Sequence, residues 1–171
     1  LKYPLLVKSV FEEASLGITR DSIVYTDKQL VDRVLRVHEE LNTDALVEEF
    51  IEGREFYVGV IGNQRLQTFP VWELLFKNLP EHIPNIATAR VKWDIEYQKE
   101  LGVMTQAATD LSDAKIRKIV KLCKRIYRAL YLSGYARIDL RVNPEGQIYV
   151  LEANPNPDLS YGEDFAESAS T

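Results

Sequence analysis

The last third of the chain contains a hairpin in which charged and amide side chains interrupt two apolar strands. Residues 135–158 read YARIDLRVNPEGQIYVLEANPNPD, and the central NPEG segment is typical of a tight turn. Strands rich in Ile, Leu, Val and Tyr normally bury at least one face, so polar side chains within them require a physical reason. The side chains in question are Arg137, Asp139, Glu152 and Asn154.

Counting outward from a turn at residues 143–146 predicts which residues of the hairpin oppose each other. The predicted pairs are Val142 with Gln147, Asp139 with Val150, Arg137 with Glu152, and Tyr135 with Asn154. Opposed residues share a face of a sheet and side chains alternate with a period of two, so the four polar groups are predicted to lie on one face. Asp139 and Glu152 would then stand diagonally, with Cβ atoms about 6–8 Å apart.

Two interpretations of this polar face are open. Two carboxylates and the amide oxygen of Asn154 form an oxygen-only ligand set, which favours Mg²⁺ or Mn²⁺ over zinc. Magnesium held by a few carboxylates usually also binds substrate phosphates, so a nucleotide is the predicted ligand. Alternatively, the hairpin is only salt-bridged, with Arg137 paired across to Glu152, Asp139 solvated, and Asn154 only starting a turn before Pro155.

Charge and cysteine content exclude several classes of protein. The chain has 171 residues and a net charge of -5, so it offers no overall basic field for a nucleic acid or an anionic membrane. Its one cysteine, Cys123, excludes an internal disulfide and favours a cytoplasmic protein. The chain begins on Leu1 and a strand pattern follows at once, so we expect a piece of a longer protein.

Local patterns predict the remaining elements. The predicted strands cover residues 3–8, 45–51, 55–62 and 65–74, of which 45–51 and 55–62 are expected to pair. Apolar periodicity predicts helices over 28–41, capped by Thr26 or Asp27, and 114–132, capped by Ser112 or Asp113. Residues 77–110 have no clean period and are expected to form a functional or mobile loop. The order of elements indicates an α+β fold with antiparallel sheets.

The segment LVEEFIEGREFYVGVIG, residues 46–62, together with the hairpin resembles the ATP-grasp superfamily, and most closely its D-alanine–D-alanine ligase branch. The spacing R-x-D, followed by E-x-N thirteen residues after the aspartate, has the order seen there. The resemblance implies two α+β lobes with antiparallel sheets enclosing a nucleotide cleft. We expect the smaller lobe over about residues 1–50 and the larger one over about 51–171, with the N-terminal substrate domain of such enzymes absent.

The resemblance also implies a role for each matching residue. Arg137 would steady the transferring phosphate, and the ligands of one or two Mg²⁺ or Mn²⁺ ions would be Asp139, Glu152 and Asn154. The nucleotide ATP would be held at its phosphates by Lys8, Ser15 and Lys92, at its adenine by Glu48, Glu49 and Ile51, and at its ribose by Glu55.

Two departures from the family pattern bear on the substrate. Glu13 and Ala14 stand in the phosphate loop where glycine and serine are usual. Asp158 stands where D-alanine ligases place a glycine whose backbone helps form an oxyanion hole, and Glu163 stands where they place a serine that faces the acceptor. Two carboxylates would repel a substrate carboxylate, so a cationic or amine-bearing acceptor is the hypothesis.

The predicted function is an ATP- and Mg²⁺-dependent ligase that joins a carboxylate to an amine through an acyl phosphate. A D-alanine–D-alanine ligase proper and a nucleotide-binding regulatory domain without turnover are the alternatives. The expected partners are ATP, a small carboxylate, an amine and the N-terminal domain of the same chain, and a homodimer is compatible with the sequence.

Overall fold

The computed structural model describes residues 1–12, 15–80 and 83–171. Its strands and helices, in chain order, are β1 (Leu5–Ser9), β2 (Ile23–Val24), α1 (Asp27–Leu41), β3 (Ala45–Glu49), β4 (Arg54–Ile61), β5 (Gln67–Thr68), β6 (Trp72–Phe76), α2 (Ala89–Trp93), α3 (Ile95–Leu101), β7 (Val103–Ala107), α4 (Asp113–Ala129), β8 (Tyr135–Val142), β9 (Ile148–Asn154) and α5 (Asp164–Ser170). The predicted α+β fold with antiparallel sheets is confirmed. In the described part of the chain, no helix is both long and apolar enough to cross a lipid bilayer.

The structure divides into two compact units. Unit 1 comprises residues 1–51 and 76–103, and unit 2 comprises residues 52–75 and 104–171. The chain passes from one unit to the other after Ile51, after Leu75 and after Val103. Residues 76–103, which the sequence division assigned to the larger lobe, group here with unit 1.

Unit 1 is a three-stranded sheet covered by α1. The strand order is β2-β1-β3, and both pairings are antiparallel. The side chain of Thr26 accepts a hydrogen bond from the backbone of Gln29, which confirms the predicted helix cap. Val37 on α1 packs against the buried Leu5, Val7 and Val24 of the sheet. This small core fixes the strand that carries Lys8.

Unit 2 is a larger sheet with α4 packed on one face. Its main strand order is β7-β6-β4-β8-β9, and the short β5 pairs with β4. Alternate residues of β4 and β8 point into the core against α4, where Ile119, Cys123 and Tyr127 are buried. The core residues contributed by these two strands are Phe56, Val58, Val60, Ala136, Ile138, Leu140 and Val142. The opposite face of the same strands carries the polar residues described below.

Three predictions about secondary structure were wrong. Residues 45–51 and 55–62 do not pair, because β3 pairs with β1 and β4 pairs with β5, β6 and β8. The predicted strand over 65–74 is interrupted between β5 and β6, where Pro70 has no N–H to donate. Residues 77–110 contain α2, α3 and β7 instead of a continuous loop.

The two short helices escaped prediction because five and seven residues are too few to show a helical period. Their local signals are caps. Thr88 and Asp94 each accept a hydrogen bond from the third backbone N–H of the following helix, and Gly102 ends α3 in the left-handed conformation. The sequence signals for these helices would have been the capping residues Thr88 and Asp94 and the terminating Gly102.

Burial predicts that Cys123 is chemically quiet in the folded protein. The thiol is fully buried against the sheet, and burial raises its pKa from 9.0 to about 12. Because the thiolate is the nucleophile, iodoacetamide at pH 8 should modify the native protein at least about tenfold more slowly than the denaturant-unfolded chain. Mass spectrometry of timed samples measures both rates, and equal rates would contradict this packing.

Candidate active site

The polar face of unit 2 is the face of its sheet that points away from α4, and side chains of three neighbouring strands form it. Glu55, Tyr57 and Gly59 of β4 lie opposite Arg141, Asp139 and Arg137 of β8, respectively. On the other side of β8, Asp139 lies opposite Glu152 and Arg137 opposite Asn154 of β9. Opposed residues share a face, so the four polar residues of the hairpin lie together as predicted.

The predicted pairs within the hairpin were nevertheless wrong, by one residue for Val142 and by two for Asp139 and Arg137. Val142 pairs with Ile148 because Gln147 belongs to the turn, where its backbone N–H donates to the Asn143 side chain at 2.7 Å. A register shift between Asp139 and Leu140 then moves the partners of Asp139 and Arg137 by one further residue. Because two one-residue shifts restore the original parity, the predicted face is correct although every predicted pair differs. Asp139 and Glu152 are directly opposed instead of diagonal.

Arg137 is held by Asp139 on its own strand. Its Nε and Nη2 atoms each donate to a different oxygen of Asp139 at 2.8 Å, and its guanidinium lies 4.7 Å from the centre of the Tyr57 ring. Both side chains are largely buried. In the alternative interpretation, the pairing of Arg137 with Glu152 and the solvated Asp139 are therefore wrong, whereas Asn154 does start a turn.

Burial and neighbouring charge control the protonation of this pair. Burial raises the pKa of Asp139 to about 7, Arg137 opposes that rise, and the charges of Glu152 and Glu55 add to it. Burial lowers the pKa of Arg137, but its bond to Asp139 raises it more, so the net shift is upward. Crowded carboxylates of this kind favour a divalent cation, because the cation removes their mutual repulsion.

The donor set on the hairpin fits a hard cation. Glu152 is exposed to solvent, and Asn154 is half-buried with its Oδ1 accepting from the Asn156 backbone at 2.8 Å. With Asp139 they supply two carboxylates and one amide oxygen, the chemistry that Mg²⁺ prefers. Among the described residues, no group of three or more His, Cys, Asp or Glu side chains is arranged to hold a metal. Any ion here would therefore complete its shell with water or substrate oxygens.

Glu55, predicted to bind the ribose, is buried in an ion pair that the sequence did not reveal. Its Oε2 accepts from Nη2 of Arg141 at 3.0 Å, and its Oε1 accepts from the Tyr57 hydroxyl at 2.9 Å. Arg141 continues the alternation of Arg137 and Asp139 along β8, so a period-two reading of R-x-D-x-R could have found it. The pair orients the Glu55 carboxylate on the same face as Asp139.

The remaining predicted nucleotide residues lie in unit 1. Lys8 on β1 makes an ion pair with Glu48 on β3, with Nζ 2.7 Å from Oε1. Glu49 Oε1 accepts from the Lys2 backbone N–H at 2.8 Å, and Ile51 follows β3. Lys92 lies exposed on α2.

Ser15, a predicted phosphate-binding residue, adopts a positive φ of 63°. Its carbonyl accepts from the Ile18 backbone N–H at 2.9 Å. The loop residues Glu13 and Ala14, on which one departure from the family pattern rests, lie outside the described residues. The structure thus groups the predicted residues into two sets, one in each unit.

Asp158 and Glu163, the two acidic residues predicted to select the acceptor, lie in an exposed segment after the hairpin. The side chain of Asp158 accepts from the Ser160 backbone N–H at 2.8 Å, and hydrogen bonding to Ser160 lowers the pKa of Asp158. Glu163 immediately precedes α5. Both residues are exposed to solvent.

Solved structures define the class of this fold. The chain has a TM-score of 0.75 to D-alanyl-alanine synthetase A from Vibrio cholerae, at 21% identity, covering 97% of this chain and 46% of that one. It has a TM-score of 0.72 to a D-alanine–D-alanine ligase from Bacillus anthracis complexed with ATP, at 21% identity, covering 98% and 46%. These likenesses establish an ATP-grasp fold, as the resemblance implied.

Sequence comparison then gives the family. The model described as "D-ala D-ala ligase C-terminus" matches residues 1–171, so this chain belongs to that family. It is 30% identical to an uncharacterized protein of Sinorhizobium fredii over 100% of this chain and 48% of that protein. It is 31% identical to a D-alanine–D-alanine ligase of Aquifex aeolicus over 93% of this chain and 48% of that protein. The chain spans about half the length of the curated relatives it matches.

Proposed function

We propose that this chain is the nucleotide- and metal-binding part of an ATP-dependent ligase that joins a carboxylate to an amine through an acyl phosphate. The observation that carries the proposal is the shared face of Arg137, Asp139, Glu152 and Asn154 on β8 and β9. A buried arginine and carboxylate beside an exposed carboxylate and an amide form an electrostatic site for phosphate transfer.

The proposal gives each set of residues a task. Asp139, Glu152 and Asn154 would hold Mg²⁺, which supplies charge neutralisation and alignment of the phosphates when bound. Arg137 would stabilise the transferring phosphoryl group. In unit 1, the phosphates would meet Lys8, Ser15 and Lys92, and the adenine would meet Glu48, Glu49 and Ile51. Glu55, already oriented by Arg141 and Tyr57, would accept from the ribose hydroxyls.

The acceptor is proposed to carry a positive charge. Asp158 and Glu163 both present exposed carboxylates after β9. Their negative charge disfavours the carboxylate of a D-amino acid acceptor and favours an ammonium or guanidinium group. This distinguishes the proposed enzyme from a D-alanine–D-alanine ligase proper.

ADP release by the full-length protein tests the proposed reaction. With ATP and Mg²⁺, we expect release only when a carboxylate donor and an amine are both present, and faster release with diamines than with D-alanine as acceptor. Preference for D-alanine would instead identify a D-alanine–D-alanine ligase. Tight ATP binding without release under any substrate pair would indicate a regulatory domain and would overturn the ligase proposal.

A charge reversal tests the proposed acceptor site separately. In Asp158→Lys with Glu163→Lys, we expect kcat/KM for a cationic acceptor to fall about tenfold and that for an anionic acceptor to rise, because attraction becomes repulsion. The affinity for ATP should stay unchanged. An unaltered ratio of the two kcat/KM values would show that these carboxylates do not select the acceptor.

A further inference from the structure

Asp164, the first residue of α5, lies beside Arg137 and belongs to none of the sequence motifs described above. Its Oδ2 atom is 4.0 Å from Nη1 of Arg137, and its Oδ1 atom accepts from the Thr105 hydroxyl at 2.5 Å. The two side chains of the pair are only 18% and 23% exposed, which limits screening by water. The guanidinium of Arg137 therefore has a second carboxylate within reach besides Asp139.

The position of Asp164 is fixed by the packing of the next residue. Phe165 is buried, and its ring lies 5.2 Å from that of Phe69 in an edge-to-face arrangement and 5.8 Å from that of Tyr135. A Cβ atom on Gly59 would lie 2.4 Å from the Phe69 ring and 3.1 Å from the Phe165 ring. Because Gly59 opposes Arg137, its missing side chain lets these rings seat α5 next to the arginine.

The bonds of Arg137 to Asp139 conflict with a metal at Asp139. Arg137 uses both oxygens of Asp139, and the proposed function gives that carboxylate to Mg²⁺. A divalent cation repels the guanidinium and draws electron density from the oxygens it binds, so at least one of the two hydrogen bonds must weaken. A largely buried arginine that loses its partner is strongly unfavourable unless another acceptor replaces it.

We propose that Asp164 is a positioning residue that replaces Asp139 as the main partner of Arg137 when the metal site fills. The inference rests on the function proposed above. Nη1 of Arg137 would close the 4.0 Å gap to Asp164, while Tyr57 continues to support the face of the guanidinium. No proton moves in this exchange. Thr105 keeps the Asp164 carboxylate turned toward the arginine, and Asp139 gains a free oxygen for the cation.

The exchange is tested by metal affinity. The full-length protein, saturated with a non-hydrolysable ATP analogue, is titrated with Mn²⁺, and electron paramagnetic resonance measures the free Mn²⁺. In Asp164→Asn, we expect Mn²⁺ to bind about fivefold more weakly, because Arg137 then stays on Asp139. Thr105→Val should weaken binding in the same direction but less. In ¹⁵N-labelled protein, the Arg137 Nε–H resonance, assigned with Arg137→Lys, should shift on metal addition in the wild type and much less in Asp164→Asn.

The matched control is Glu167→Gln, which removes one negative charge from the same helix. Glu167 accepts from the Gly162 backbone N–H, a bond that the glutamine oxygen can retain. We expect its Mn²⁺ affinity to equal that of the wild type. Equal affinities for Asp164→Asn and Glu167→Gln would overturn the exchange while leaving the proposed function intact. A wild-type protein that binds no Mn²⁺ with the analogue would overturn the proposed metal site, and the exchange with it.

Discussion

Replacing Asp139 by Asn and Glu152 by Gln together is expected to abolish Mg²⁺-dependent ATP binding and to lower turnover by about 10²- to 10³-fold or more. The two carboxylates are directly opposed on β8 and β9, and they supply both negative charges of the proposed ligand set. The neutral amides retain similar shape but lose the charge that attracts a divalent cation. Calorimetric titration with an ATP analogue, with and without Mg²⁺, measures the effect.

The two single variants separate metal binding from folding. Glu152 is exposed, so Glu152→Gln should weaken Mg²⁺-dependent binding while changing the free energy of unfolding by less than about 0.5 kcal/mol. Asp139 is buried and bonded to Arg137, so Asp139→Asn should weaken binding and also destabilise the fold.

The matched control on the same hairpin is Glu145→Gln, which changes an exposed carboxylate of the turn and should leave both quantities unaltered. Mg²⁺-dependent ATP binding that survives in the double variant would show that the metal ligands lie elsewhere.

Truncating Ile138 to Ala is expected to destabilise unit 2 by about 2–5 kcal/mol, and Ile138→Val by about 0.5–1.5 kcal/mol. Ile138 is fully buried between Val58 of β4 and Ala153 of β9, on the face of β8 that packs toward α4. Its neighbours along the strand are Arg137 and Asp139, which point to the opposite face. The cavity left by Ala would therefore weaken the strand that holds both site residues.

Denaturant unfolding monitored by tryptophan fluorescence measures this loss. Trp72 is buried in unit 2 and Trp93 is exposed in unit 1, so a Trp93→Phe background assigns the signal to unit 2. Val150→Ala is the matched control, because Val150 on the neighbouring strand is 46% exposed and should change stability by no more than about 0.5 kcal/mol. Equal effects of the substitutions at positions 138 and 150 would contradict the difference in burial between these two side chains.

Elements with long, regular patterns could be predicted from the sequence. Helix α1 and helix α4 each bury one apolar stripe, and each begins after a side chain that accepts a backbone N–H, Thr26 and Ser112. The polar face of the hairpin was equally predictable, because alternation along a strand decides which side chains share a face. These features depend on neighbours within a few residues of each other.

Pairing between strands depended on contacts that no local pattern records. β3 and β4 are adjacent in sequence and were expected to pair, yet they belong to separate sheets. Gly53 marks the connection, with a φ of 144° and a missing Cβ that would lie 2.2 Å from the Val142 carbonyl oxygen. Only Gly fits this position. A Gly between two apolar strands is equally typical of a hairpin turn, so the sequence did not distinguish a connection between two sheets from a hairpin.

The sequence by itself determined the residue types and alternation that make an oxygen-rich face, and the family to which those motifs belong. Only the tertiary structure decided that Arg137 bonds to Asp139, that Arg141 holds Glu55, and that Asp164 lies 4.0 Å from Arg137. The physical reason is that alternation is a property of a single strand. Ion pairing depends instead on the bulge, the register and the aromatic packing that bring residues distant in sequence together.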